Sequence, residues 1–265
     1  MSTETTPLLL KVNLKQLRLP TMLCEWEKLA READAKNEPY EGYLLRLTEA
    51  EVTARSAKAL STRIRTAGFP VVKDLDTFDF SVTPAVSKQK VLELARGVWV
   101  EEHTNCCLIG NAGTGKTHLA TALGLAICRL GRRVKFVTAA SLVTQLEEAQ
   151  QHHRLERVLS QLERVDLLII DELGYLSFSR GGAELLFQVF AERYERRSVL
   201  VTSNLAFSEW GSVFQGDRMT AALLDRLTHR CEIFEMNGES YRFRQSMKSK
   251  NDKDPQKQKD LKKGN

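Results

Sequence analysis

The chain has 265 residues, 42% of them hydrophobic and 28% charged, and carries a formal net charge of +5. That size and balance predict one or two globular domains with a sizeable core, and they exclude a fibrous or wholly disordered chain. The five cysteines (Cys24, Cys106, Cys107, Cys128 and Cys231) form no C-x-x-C pair, and no apolar run approaches the ~20 residues of a membrane span, so zinc ribbons, disulfide frameworks and membrane proteins are excluded and a cytoplasmic protein with reduced thiols is expected.

Residues 1–68 are expected to form a small all-α N-terminal domain that binds DNA or a partner. Leu10, Leu14 and Leu17, then Met22, Trp26 and Leu29, recur at helical spacing, with Pro20 and Thr21 between them and Thr21 a candidate cap. Pro39 and Gly42 mark a second break. A long helix over about 40–67 follows, with an apolar stripe of Leu44, Leu47, Ala50, Ala54, Ala57, Leu60 and Ile64. Between Val52 and Lys73 stand Arg55, Lys58, Arg63, Arg65 and Lys73 without an acid. Two readings stand for this run: a solvated helix face, or a surface that contacts a phosphate backbone. The missing acids tilt the balance towards the second.

Gly68-Phe69-Pro70 ends the helical region, and residues 69–245 are expected to form a nucleotide-binding domain. It is entered through an extended piece at Phe78-Asp79-Phe80 and a helix over about 85–94. Either phenylalanine packs beside an adenine or both belong to the core. Cys106-Cys107-Leu108-Ile109 is a short buried strand, and Gly110-Asn111-Ala112-Gly113-Thr114-Gly115-Lys116-Thr117 matches the phosphate-binding pattern G-x-x-x-x-G-K-[ST] at every position. A helix over 118–129 follows, beginning at His118. A triphosphate needs backbone N–H groups aimed at it from close range, which glycines and a helix N-terminus provide. Lys116 is expected to reach the β- and γ-phosphates, and the Thr117 hydroxyl to hold Mg²⁺.

Strands and helices then alternate, the pattern of a parallel sheet. The second strand is expected at 134–137 and a helical segment at 141–164. That segment carries His152, His153, Arg154 and Arg157, a cluster without the further ligands a metal site requires, which suits a nucleic-acid surface or a solvated turn. The third strand, at 165–170, delivers Asp171 and Glu172 at its carboxyl end. Asp171 is assigned to Mg²⁺ through water and Glu172 to polarising the attacking water. A helix at 183–194 and a strand at 198–202 ending in Ser203-Asn204 follow, with Asn204 able to contact the γ-phosphate or the attacking water. An amphipathic helix at 217–230 carries Arg218, Arg226 and Arg230, and the fifth strand is placed at 231–234. Residues 246–265 hold seven lysines against three aspartates and are expected to form a basic, disordered tail. The carboxylate pair after a phosphate loop predicts an Mg²⁺-dependent ATPase. A GTPase would carry an N-K-x-D motif, which this chain lacks.

Taken together, the phosphate loop with His118-Leu119-Ala120, the run Asp171-Glu172-Leu173-Gly174-Tyr175-Leu176, the segment Leu223-Leu224-Asp225-Arg226-Leu227-Thr228-His229 and Gly238-Glu239-Ser240-Tyr241-Arg242 resemble the IstB family, AAA+ transposition helper ATPases similar to the helicase loader DnaC. The resemblance covers nearly everything except the extreme N-terminus and the tail. It implies a five-stranded AAA+ core with a reduced lid, and Asn204 as the sensor beside the attacking water. It further implies Arg226 as an arginine finger reaching a neighbouring subunit's ATP, and Arg242 as a second sensor contacting the nucleotide in its own subunit. The partners it implies are duplex DNA, a transposase and further copies of the chain, with Arg55, Lys58, Arg63, Arg65, His152, His153, Arg154 and Arg157 as candidate DNA contacts. A helicase loader with the same core is the alternative.

Overall fold

A computed structural model describes residues 5–238 and Ser240, so the expectations for Arg242 and for the 246–265 tail lie outside the described residues. The chain divides into two compact units between Thr62 and Arg63. The first contains α1 (Thr5–Gln16), α2 (Pro20–Ala35) and most of α3 (Tyr40–Ala67). Pro20 is the first residue of α2, a position where its missing N–H goes unused. Thr21 therefore lies inside the helix and does not cap it. The cap comes from α3, where the Glu51 carboxylate accepts the N–H groups of Thr21 and Met22 at 2.8 and 3.0 Å. The expected stripe along α3 is interrupted. Leu47 is buried and Leu60 and Ile64 half-buried, but every residue from 52 to 59 is exposed, Ala54 and Ala57 among them.

In the second unit, two 3₁₀ turns at Leu75–Thr77 and Phe80–Val82 flank the extended piece expected at Phe78-Asp79-Phe80, which is confined to Phe78 and Asp79 because Phe80 opens the second turn. Asp74 and Asp79 cap these turns by accepting N–H groups from Leu75 and Ser81. Then come α4 (Lys88–Leu94), capped by Ser87, and α5 (Val98–Glu101). The nucleotide core follows as β1 (Asn105–Ile109), α6 (Lys116–Arg129), β2 (Val134–Thr138), α7 (Ala139–Gln151), α8 (Leu155–Glu163), β3 (Leu167–Leu173), α9 (Arg180–Arg193), β4 (Ser198–Ser203), α10 (Gly211–Phe214), α11 (Asp217–Thr228) and β5 (Cys231–Glu235). The five strands form one parallel sheet in the order β2-β3-β4-β1-β5. β1 and β4 are buried along their whole length and β3 at all but Glu172, as parallel strands covered on both faces must be, and this explains their unbroken apolar runs.

The helical segment expected at 141–164 is two helices. The chain turns at His152-His153-Arg154, where His153 has φ 54° and the N–H of Arg154 closes on the Ala149 carbonyl at 2.7 Å. No glycine or proline marks the turn, so the sequence offered no breaker. β3 also runs three residues beyond Ile170, so Asp171 and Glu172 lie within the strand and not after it.

One buried cation ties the amino ends of the central strands together. Arg193 at the end of α9 donates to the carbonyls of Leu162 (2.7 Å), Val165 (3.1 Å), Asp166 (3.4 Å) and Ser198 (2.8 Å). Burial, with Arg197 nearby, pulls its pKa down to about 9, so it remains charged at neutral pH. Arg193→Ala removes all four of these bonds, the one to the buried Ser198 among them, and it is expected to lower stability by on the order of 3 kcal/mol in urea unfolding. Arg193→Lys should recover only part of the loss, because a single ammonium cannot reproduce the planar fork.

Candidate functional site

The phosphate loop leaves the carboxyl end of β1 and enters α6 at Lys116, with Gly115 as its left-handed cap at φ 96°. Thr114 closes the loop by donating its hydroxyl to the Asn111 carbonyl at 2.9 Å, leaving Asn111 and Ala112 exposed at the tip. Two glycines are required by close approach of the protein's own chain. A Cβ on Gly110 (φ 145°) would lie 2.3 Å from the Met236 carbonyl oxygen, and one on Gly113 (φ 80°) 2.1 Å from Ser240 Oγ. Met236 and Ser240 thus lie against the loop, while Arg242 is outside the described residues. Lys116 is buried, and its Nζ donates to the carbonyls of Gly110 (2.6 Å) and Asn111 (2.7 Å), which keeps the ammonium at the loop.

His118 is held against the turn at Leu75–Thr77. Its Nε2 is 3.1 Å from Thr77 Oγ1 and 3.3 Å from the Asp74 carbonyl, and its ring meets Phe78 edge-on at 5.3 Å. Burial holds the pKa of this imidazole below its ordinary value, against the opposing effect of the Asp74 carbonyl. Phe78 is buried, and a Cβ on Gly115 would stand 3.0 Å from its ring; Phe78 therefore packs directly behind the loop.

The structure brings Asp171 to the loop. Thr117 Oγ1 lies 3.1 Å from both Asp171 carboxylate oxygens, and Asp171 is buried. An all-oxygen pair of this kind suits a hard divalent cation. Glu172 is exposed beside it, with φ 61°. Asn204 stands just past β4, and its Oδ1 is buried with no hydrogen-bond partner among the described residues. An unpaired buried acceptor is costly, and a water or phosphate-bound proton would satisfy it. Sequence reasoning missed Thr202. Its hydroxyl donates to Asp171 Oδ1 at 2.5 Å and accepts the Glu172 N–H at 3.0 Å. Only its position two residues before Asn204 on a strand adjacent to β3 could have pointed to it.

The remaining candidates either have other partners or are exposed. Arg226 is half-buried on α11, donating to the Ala222 carbonyl at 2.9 Å with its guanidinium 5.3 Å from the Phe187 ring centroid. Of the basic run on α3, Arg55 pairs with Glu51 at 2.8 Å and with the Arg18 carbonyl, while Arg63 donates to the Cys128 carbonyl at the end of α6 at 3.0 Å. Lys58 and Arg65 are exposed. His152, His153, Arg154 and Arg157 are all exposed at and just after the α7–α8 turn. Burial pushes the Cys106 thiol well up and that of Cys128 up to about 11; a hydrogen bond to Cys231, followed by burial, does the same for Cys107.

The family described as IstB-like ATP binding protein matches residues 12–249. A protein of Geobacillus stearothermophilus, described as an ATP-binding protein of insertion sequence IS5376, is 39% identical over 87% of this chain and 92% of its own length. One of Pseudomonas aeruginosa, described likewise for insertion sequence IS21, is 38% identical over 91% of each chain. Among solved structures, AMPPCP-bound DnaA from Aquifex aeolicus superposes with a TM-score of 0.53 at 21% identity, covering 64% of this chain and 51% of that one, a likeness of fold. Among the described residues no helix is long and apolar enough to cross a membrane.

Proposed function

The chain belongs to the IstB-like ATP-binding protein family, and from that premise we propose that it is an Mg²⁺-dependent ATPase that assembles on duplex DNA and serves as the helper of a partner transposase. The observation that carries the nucleotide chemistry is the meeting of Thr117 with Asp171 at 3.1 Å beside the phosphate loop. The loop N–H groups and the α6 N-terminus receive the triphosphate, and Lys116 turns its ammonium to the β- and γ-phosphates. Thr117 and Asp171 would hold Mg²⁺, which neutralises developing phosphate charge when bound. Glu172 accepts the proton of the attacking water, and Asn204 Oδ1 orients that water.

The insertion-sequence relatives support the transposition role and rank it ahead of a helicase loader. DNA binding then rests on phosphate contacts. Lys58, Arg65 and the exposed set at 152–154 with Arg157 are better placed for them than Arg55 and Arg63, whose side chains already have partners within the chain. If each subunit completes its neighbour's site, ATP gates assembly, and several weak basic surfaces act on one duplex by avidity.

Sedimentation of the pure protein with ATP, with ADP and without nucleotide, each with and without duplex DNA, tests this reading. Large assemblies are expected only with ATP and DNA together. In the same assay Lys58→Glu with Arg65→Glu should weaken assembly and flatten its salt dependence by about one unit of log–log slope per lost phosphate contact. A particle indifferent to DNA and recruited by a helicase would replace the transposition reading with the loader one.

A further inference from the structure

We propose that Thr202 is a positioning residue that sets Asp171 and Glu172 for ATP hydrolysis; the inference rests on the ATPase reading above. Four residues of β3, Leu167 to Ile170, face four of β4, Ser198 to Val201, one for one, and the next match is Leu173 with Ser203. Two residues of β3, Asp171 and Glu172, therefore stand opposite the single Thr202, which is a β-bulge. Bulges re-aim side chains, and this one sits where the two carboxylates must point in different directions. Asp171 faces inward to Thr117, while Glu172 is exposed.

Glu172 absorbs the irregularity by adopting φ 61° without being glycine. A residue stays in that region only when its surroundings hold it there. Thr202 is the holder. The Glu172 N–H donates to Thr202 Oγ1 at 3.0 Å, and the same hydroxyl gives its proton to Asp171 Oδ1 at 2.5 Å. Thr202 is 1% exposed, so solvent cannot replace either bond. A hydroxyl has one proton to give and lone pairs to receive, so a single atom serves both carboxylate residues at once. Serine retains that capacity, whereas valine keeps the shape and loses both bonds.

The test compares Thr202→Val, Thr202→Ala and Thr202→Ser by steady-state phosphate release and by titration with a fluorescent ATP analogue, with thermal melting as the folding control. Val and Ala are expected to lower kcat by about 10- to 100-fold, the scale of loss when a reacting group is misplaced by an ångström, with nucleotide affinity held within about threefold. Ser should keep most of the turnover. In a Glu172→Gln background Thr202→Val should cost clearly less than it does in the wild type, because only its effect through Asp171 is left. Wild-type kcat in Thr202→Val, a Ser variant as slow as Val, or a full multiplicative loss on top of Glu172→Gln would each overturn the proposal. So would Val and Ala variants that both melt below the assay temperature, since the hydroxyl would then be a requirement of the fold. Absence of turnover in the wild-type protein would overturn the ATPase reading itself, a result distinct from an active wild type with an indifferent Thr202→Val.

Discussion

Glu172→Gln is expected to reduce turnover by roughly 10²- to 10⁴-fold while leaving ATP affinity within a few-fold of wild type. The two neighbouring carboxylates differ in environment, and the environments assign the roles. Asp171 is buried with its oxygens engaged by the hydroxyls of Thr117 and Thr202, which suits it to the proposed ligand-holding role. Glu172 is exposed, its backbone is pinned by the N–H bond to Thr202, and its carboxylate accepts no hydrogen bond among the described residues. A glutamine there preserves shape and removes only the ability to take a proton. ATP should therefore still bind and still drive assembly on DNA. The variant should accumulate in the ATP-bound assembly, because the step that ends that state is slowed. Phosphate release at saturating ATP measures the first effect and sedimentation with ATP and duplex DNA the second. Unchanged turnover would transfer the base role to another group. Lost assembly together with lost turnover would mean that Glu172 is needed for binding.

The features that sequence made legible are local. The phosphate loop is a contiguous pattern, and β1, β3 and β4 are continuous apolar runs because both faces of a central parallel strand are covered. Pro20 and the break near Pro39 gave the helices of the first unit for the same reason: each boundary is written at the boundary. What escaped depends on neighbours distant in sequence. Thr202 acts through a bulge that exists only once β3 pairs with β4. The kink at Glu172 uses left-handed backbone without glycine, so no residue type announces it; the turn at His153 does the same, and only the polar character of its cluster suggested a solvated turn there. The charge count on α3 also looked barer than the folded helix is. Arg55 pairs with Glu51, one residue outside the acid-free stretch, and Arg63 donates to a backbone carbonyl, an acceptor that no census of acids contains.

Arg226→Ala is expected to bind ATP nearly normally and to lose turnover by on the order of 10³-fold, the scale of loss for an arginine that neutralises phosphoryl-transfer charge. We propose that Arg226 plays this role in the neighbouring subunit. Leu227, the next residue, accepts a hydrogen bond from Asn105 Nδ2 at 3.0 Å, which puts this part of α11 at the amino end of β1. The phosphate loop leaves the carboxyl end of the same strand, and at ~3.3 Å per residue a five-residue strand holds those ends roughly 13 Å apart. Arg226 therefore stands near the opposite end of β1 from its own phosphate loop. Its present contacts are weak enough to exchange: one bond to the Ala222 carbonyl and a stack on Phe187, worth about 0.5–1 kcal/mol where solvent reaches it. Mixing supplies the decisive measurement. Lys116→Ala protein cannot use its own loop but still offers Arg226, while Arg226→Ala protein has an intact loop and no finger. In a random equal mixture about one head-to-tail interface in four pairs a good loop with a good finger, so turnover should return to a sizeable fraction of wild type although each protein alone is inactive. If Arg226→Ala alone hydrolyses normally, the finger is another arginine, with the exposed Arg218 and Arg230 next to be tested. If both variants are inactive alone and the mixture stays inactive while still assembling on DNA, Arg226 acts within its own subunit and the trans assignment is wrong.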